Sequence, residues 1–165
     1  MSAHAGDRAM ARHTAARLAA IQALYQIEVT DATPDKVVEE FSRHRLGKSQ
    51  DGEAPAKASA ALFGEIVRGV SARRAELDGM IGAALGPERQ TDRLELIIAC
   101  ILRAGAYELV ARHAAPPRAV ISEYVDLAHG FFSGNEPKLV NAVLDRIART
   151  VRPGELGTER GQKAG

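Results

Sequence analysis

One stretch, Arg93 to Arg112 (RLELIIACILRAGAYELVAR), limits the fold more than any other, because it is apolar on nearly every side at helical spacing. Leu94, Ile97, Ile98, Ile101, Leu102, Gly105 and Leu109 recur with the helical period, and Leu96, Ala99, Cys100 and Ala106 fill the remaining sides. A helix that is apolar all round must be covered all round, so the rest of the chain has to supply several packing partners. A strand would be shorter and would alternate. Asp92, three residues before Glu95, forms a candidate capping pair at the start, and Pro116-Pro117 forbids continuation past the loop after Arg112. A membrane span needs roughly 20 predominantly apolar residues, whereas Glu95, Arg103 and Glu108 interrupt this window. The stretch predicts the central helix of a soluble bundle.

The chain of 165 residues fits one domain with a real hydrophobic core. Alanine, leucine, arginine and glutamate, all good helix formers, are abundant, tryptophan is absent and no segment alternates like a strand, so the fold class is all-α, a single domain of about six or seven helices. The single cysteine, Cys100, lies mid-helix among apolar neighbours and reads as a small core residue. With no disulfide framework and no signal peptide, the address expected is cytoplasmic. The formal net charge of +1 does not mark the whole molecule as a polyanion binder. Its distribution is more informative: Arg8, Arg12 and Arg17, with His13 among them, precede Ile27 without one carboxylate from Arg8 onward, and Glu28 to Glu65 then turns acidic. A basic leading helix suits a local nucleic-acid contact, and it equally suits a solvated helix face.

Residues 1–11 lack apolar periodicity and are expected to be a flexible amino terminus. A first helix is predicted from Arg12 to Val29, with Leu18, Ile21 and Tyr25 as its stripe, Ala20, Leu24 and Ile27 extending it, and Arg12 and Arg17 pointing outward. Thr33-Pro34 caps and opens a short second helix with Val37, Val38 and Phe41 on one face, ending near Leu46. Gly47 to Ala56 is a polar loop. Helical patterning resumes at Leu62, Phe63, Ile66, Val67 and Val70, with a break expected between Ser71 and Ala75, and continues through Leu77, Ile81 and Leu85 to Gly86-Pro87. Pro117 opens a helix with Val120, Ile121, Tyr124, Leu127, Ala128 and Phe131 on its core face. Pro137 sits in the first turn of a last helix faced by Leu139, Val140, Val143, Leu144 and Ile147. Residues 12–150 thus form the helical domain, and residues 151–165 are expected to be a flexible tail.

Catalytic patterns do not appear. Gly47-Lys48-Ser49 imitates the end of a P-loop, but Ser42 stands where that motif needs glycine, and a helix is predicted where it needs a strand. His4, His13, His44, His113 and His129 are scattered without a helical ligand spacing, so no metal site is expected. Neither GxSxG nor GxGxxG is present. The sequence therefore predicts no enzyme and no cofactor.

Four segments carry a family likeness. Arg17 to Tyr25 (RLAAIQALY) matches an arginine followed by a helix ending in QALY, and Ile101-Leu102-Arg103 with Ala106-Tyr107-Glu108-Leu109 matches a central ILR…YEL helix. Ala119 to Phe131 (AVISEYVDLAHGF) is similar to VAINEAVELAKxF, and Lys138 to Ile147 (KLVNAVLDRI) to a closing FVNGVLDKI. In this order they resemble the NusB family of transcription antitermination factors over roughly Arg12 to Arg149. The resemblance implies two packed helical subdomains with the central helix in the core. It also implies a function without catalysis: binding boxA single-stranded RNA together with the small-subunit ribosomal protein NusE, as part of the RNA polymerase antitermination complex on ribosomal RNA operons, with no membrane role.

On the same footing Arg12, His13, Arg17 and Lys138 are the implied RNA-binding residues and Tyr25 the implied partner-binding residue. Tyr25 suits the core as well as a partner surface, Phe131 is expected in the core, and Asn141 is expected to make a local structural hydrogen bond. The chain departs from the pattern where His13, Thr14 and Ala15 interrupt the arginine run. It departs again where Leu139 and Ala142 replace the phenylalanine and glycine of FVNG, and where Ser122 and Tyr124 replace two residues of INEA. Leu139 removes a stacking face. Two alternatives compete: a helical protein-interaction module without an RNA role, and the RNA-binding part of an rRNA cytosine methyltransferase, whose α/β domain would find no room after Arg149.

Overall fold

The computed structural model describes residues 2–43, 60–86 and 94–156. The expected loop from Gly47 to Ala56, Lys48 with it, and the capping residue Asp92 lie outside these, as does the expected tail beyond residue 156. Among the described residues there are seven helices of more than one turn, α1 Ser2–Thr30, α2 Pro34–Phe41, α3 Ala60–Ala72, α4 Arg74–Leu85, α5 Leu96–Ala111, α6 Pro117–Phe131 and α7 Glu136–Val151. The all-α class is as expected. The chain divides into two compact units, Met1–Ala72 and Arg73–Gly165.

In the first unit α1 packs on α3 and α2, and α2 packs on α3. The buried side of α1 is largely alanine, with Ala16, Ala19, Ala20 and Ala23 beside Ile21 and Leu24. Small side chains let helix axes approach closely. Phe41 and Phe63 stack with centroids 5.4 Å apart. α1 begins at Ser2, not at the expected Arg12. Its first turns are rich in alanine and contain no proline, so helix propensity extends the packed segment backwards without needing an apolar stripe. At the other end Asp31 adopts a positive φ of 60° and donates its N–H to Ile27 O at 2.9 Å. Thr33 then caps α2 as predicted, its side chain accepting from the N–H of Lys36.

In the second unit α5 packs on α4, α6 and α7. Every residue from Ile98 to Leu109 is buried, as its all-round apolar character demanded. Its start differs from expectation: Glu95 is the N-cap residue and makes no side-chain capping bond. Two charges inside this helix are paired. Arg103 donates to Asp78 through Nε at 2.8 Å and Nη2 at 3.3 Å. Glu108, fully buried, accepts from Arg112 at 2.8 Å and from the Tyr124 hydroxyl. Burying a charge is tolerable only with such partners. Gly105 faces α7 so closely that an added Cβ would lie 2.8 Å from Leu144 Cδ1.

The break between α3 and α4 falls at Arg73, inside the expected window, and α4 ends on Gly86 with a φ of 84°. Two further expectations need correction. Phe131, expected in the core, is exposed at the end of α6. Residues 151–156 are not a tail: Arg152 is buried, donating to the carbonyls of His113 at 3.1 Å and Ala115 at 2.8 Å and to both oxygens of Glu155. Leu156 is buried as well. A low-apolar segment can be ordered by one guanidinium that satisfies loop carbonyls, which periodicity does not reveal.

Candidate nucleic-acid interface

The implied site residues fall into two groups. Arg12, His13, Arg17 and Tyr25 lie on α1 in the first unit, and Lys138 lies on α7 in the second. On α1 the structure separates what the sequence grouped. His13 is exposed and Arg12 partly so, but Arg17 is buried, with 6% of its surface accessible. The expectation that Arg17 points outward is therefore wrong. Arg17, Ala20, Ile21 and Leu24 stand at i, i+3, i+4 and i+7, so Arg17 belongs to the buried face. Leu18 and Tyr25, taken for the centre of the stripe, are its solvent edge, at 36% and 39% exposure. With Val29 one turn further on, they leave an apolar line on the outer side of α1. The same register thus turns Arg17 inward and Tyr25 outward.

On α7 the side chains converge. Asn135 precedes the helix, Pro137 lies in its first turn, and Lys138, Leu139, Ala142, Val143 and Arg146 follow at i, i+1, i+4, i+5 and i+8. That spacing is one face of a helix. With Ala84 and Leu85 from the end of α4 they enclose a groove of about 430 Å³. Lys138, Asn135, Ala142 and Arg146 are exposed, and Val143, Ala84 and Leu85 are buried as its floor. Among the described residues no carboxylate lines the groove. The groove therefore offers two cations and the Asn135 amide at its rim and aliphatic surface beneath, an arrangement that accepts phosphate oxygens and base faces together.

The sequence pointed to Lys138 and Leu139 but missed Asn135, Arg146 and the contribution of α4. Helical spacing from Lys138 would have found Arg146; nothing local could have found Ala84 and Leu85. No cluster able to hold a metal occurs among the described residues, and none of their helices is long and apolar enough to cross a membrane.

A family model for NusB matches residues 14–149. The chain belongs to the NusB family. The transcription antitermination protein NusB of Rhizobium rhizogenes is 48% identical over 138 residues, which is 84% of this chain and 86% of the relative. That of a Bradyrhizobium strain is 44% identical over 153 residues, 93% of this chain and 90% of the relative. Among solved structures, NusB of T. maritima is similar with a TM-score of 0.70 at 26% identity, over 83% of this chain and 90% of that one. A chain from a complex of the antitermination factors NusB and NusE with double-stranded RNA is similar in fold, with a TM-score of 0.71 at 23% identity, over 86% and 98%. The NusB segments quoted from the sequence fall within the matched residues.

Proposed function

We propose that this chain is a transcription antitermination factor that binds boxA single-stranded RNA together with NusE, and that it works in the cytoplasm within the RNA polymerase antitermination complex. The family match across residues 14–149 carries this reading. Arg12 and His13 supply phosphate contacts from α1, and Lys138 supplies one from the rim of the α4/α7 groove. Tyr25 contributes to the NusE surface, supported by its exposed ring beside Leu18 and Val29. Phosphate contacts hold the strand in place without reading its sequence, so specificity comes from base contacts in the groove and from NusE. The chain acts by binding, not by catalysis.

The test is RNA affinity measured against salt with NusE present, for wild type, Arg12→Ala, Lys138→Ala and Leu139→Phe. Each lost cation should flatten the slope by about 0.7 units, the value for single strands. Leu139→Phe should tighten binding by ~1–3 kcal/mol, because an aromatic face lining the groove gives a base something to stack on. A chain that binds NusE but shows no boxA affinity at any salt would instead be a protein-interaction module.

A further inference from the structure

The concave strip between α4 and α7 continues past Leu139. Arg146 is exposed and is shared by two adjoining hollows. One is the groove that holds Lys138. The other, of about 420 Å³, is lined by Glu76, Met80, Ala83, Ile147 and Thr150 together with Ala84. Arg146 forms the ridge between them. Its Nη1 donates to Ala84 O at 2.7 Å. Ala84 lies in the last turn of α4, where carbonyls have no partner within the helix, so the guanidinium sits at the negative end of the helix dipole. That bond takes one of the five N–H donors of the side chain. A guanidinium already held in place gives up less freedom on meeting a ligand than a mobile lysine does.

We infer that Arg146 is a second phosphate contact for single-stranded RNA in this groove, so that the strand runs along α7 from Lys138 towards the carboxyl end of α4. This rests on the reading of the chain as a boxA-binding protein, and adds the direction and extent of the strand. Eight residues of helix separate the two cations by about 12 Å, which a stacked strand covers in three to four steps of ~3.4 Å. Between them Leu139 and Ala142 offer aliphatic surface to base faces, not to phosphates. Among the described residues no carboxylate lines the first hollow, whereas Glu76 lines the second. Like charge therefore ends the phosphate track at Arg146.

The competing explanation is that Arg146 only caps α4, and the salt slope separates the two. With NusE present, Arg146→Gln should flatten the slope by about 0.7 units and weaken boxA binding about fivefold at 0.1 M salt, while Arg146→Lys should keep most of the slope. Thermal melting of both variants reports the capping role independently. A cap without RNA contact predicts lower melting temperatures for the two variants with an unchanged slope, and that result overturns the inference. So does a lysine variant that loses as much slope as the glutamine variant. If wild type itself fails to bind boxA RNA with NusE, both the inference and the proposed function fall; if wild type binds and only the Arg146 slope is unchanged, the proposed function stands.

Discussion

Two arginines five positions apart on α1 have opposite roles because of helix register. Arg17 is buried beside Ala20, Ile21 and Leu24, so Arg17→Ala removes packing as well as polar contacts and should lower stability by about 1–3 kcal/mol. Arg12→Ala, at a partly exposed position, should stay within about 0.5 kcal/mol of wild type. Urea midpoints for the two variants decide this, and an Arg17 variant as stable as wild type would put that side chain back at the surface. Arg152 makes a similar point near the carboxyl end. Its hydrogen bond to Glu155 is the main cause holding that carboxyl below the usual range; burial opposes this, and the charges of Arg152 and His113 reinforce it. A carboxyl whose folded-state pKa is lowered contributes stability above its unfolded pKa and loses it as pH falls through the folded value. Glu155→Gln should therefore be less stable than wild type at neutral pH, with the gap closing as pH drops below the ordinary glutamate value of ~4.3. A gap that persists at low pH would assign the effect to packing instead.

Among the elements, α5 and α7 approach closely where Gly105 meets Leu144. Ile101 is fully buried, and Ile101→Ala should cost ~2–5 kcal/mol by leaving a cavity that the surrounding helices cannot close. Gly105 tests the opposite fault. A methyl group there would meet Leu144 Cδ1 at 2.8 Å and Cδ2 at 3.0 Å, so Gly105→Ala should destabilise by ~1–3 kcal/mol despite its better helix propensity. A Gly105→Ala variant more stable than wild type in chemical denaturation would mean that propensity outweighs the close approach. At the start of α2, Thr33→Ala should lose ~1 kcal/mol through its cap to Lys36 N–H.

For the molecule as a whole, a net charge of +1 means that RNA binding must depend on a few placed cations instead of a general field. The full positive charges among the proposed contacts, Arg12, Lys138 and Arg146, should together give a slope of log affinity against log salt of about −2, at ~0.7 per charge. A slope several units steeper would mean that NusE or residues outside these sites supply most phosphate contacts. Binding of NusE only to the folded chain should also raise its unfolding free energy, by ~2.7 kcal/mol at one hundred times the dissociation constant. Calorimetric melting of the chain with and without NusE measures that directly.

Periodicity together with the placement of glycine and proline determined the all-α class, the buried central helix, the break near Arg73, the entries of α2 and α6 at Pro34 and Pro117 and the first turn of α7 around Pro137, because these follow from local steric preference and the need to cover an apolar surface. The four motifs added the family and, with it, Lys138. Tertiary structure alone decided which way α1 faces. A stripe through Leu18 and Tyr25 and one through Ala20 and Leu24 are both helical, and contact with α2 and α3 selects the second. The groove had the same origin: Lys138 and Arg146 share a face in the sequence, but Ala84 and Leu85 come from a distant segment that only packing brings beneath them. The order of residues 152–156 was hidden for a related reason, since Arg152 is fixed by carbonyls of the α5–α6 loop some 40 positions earlier in the chain. Local sequence records the preferences of each segment; the partners that satisfy its polar groups are chosen by the fold.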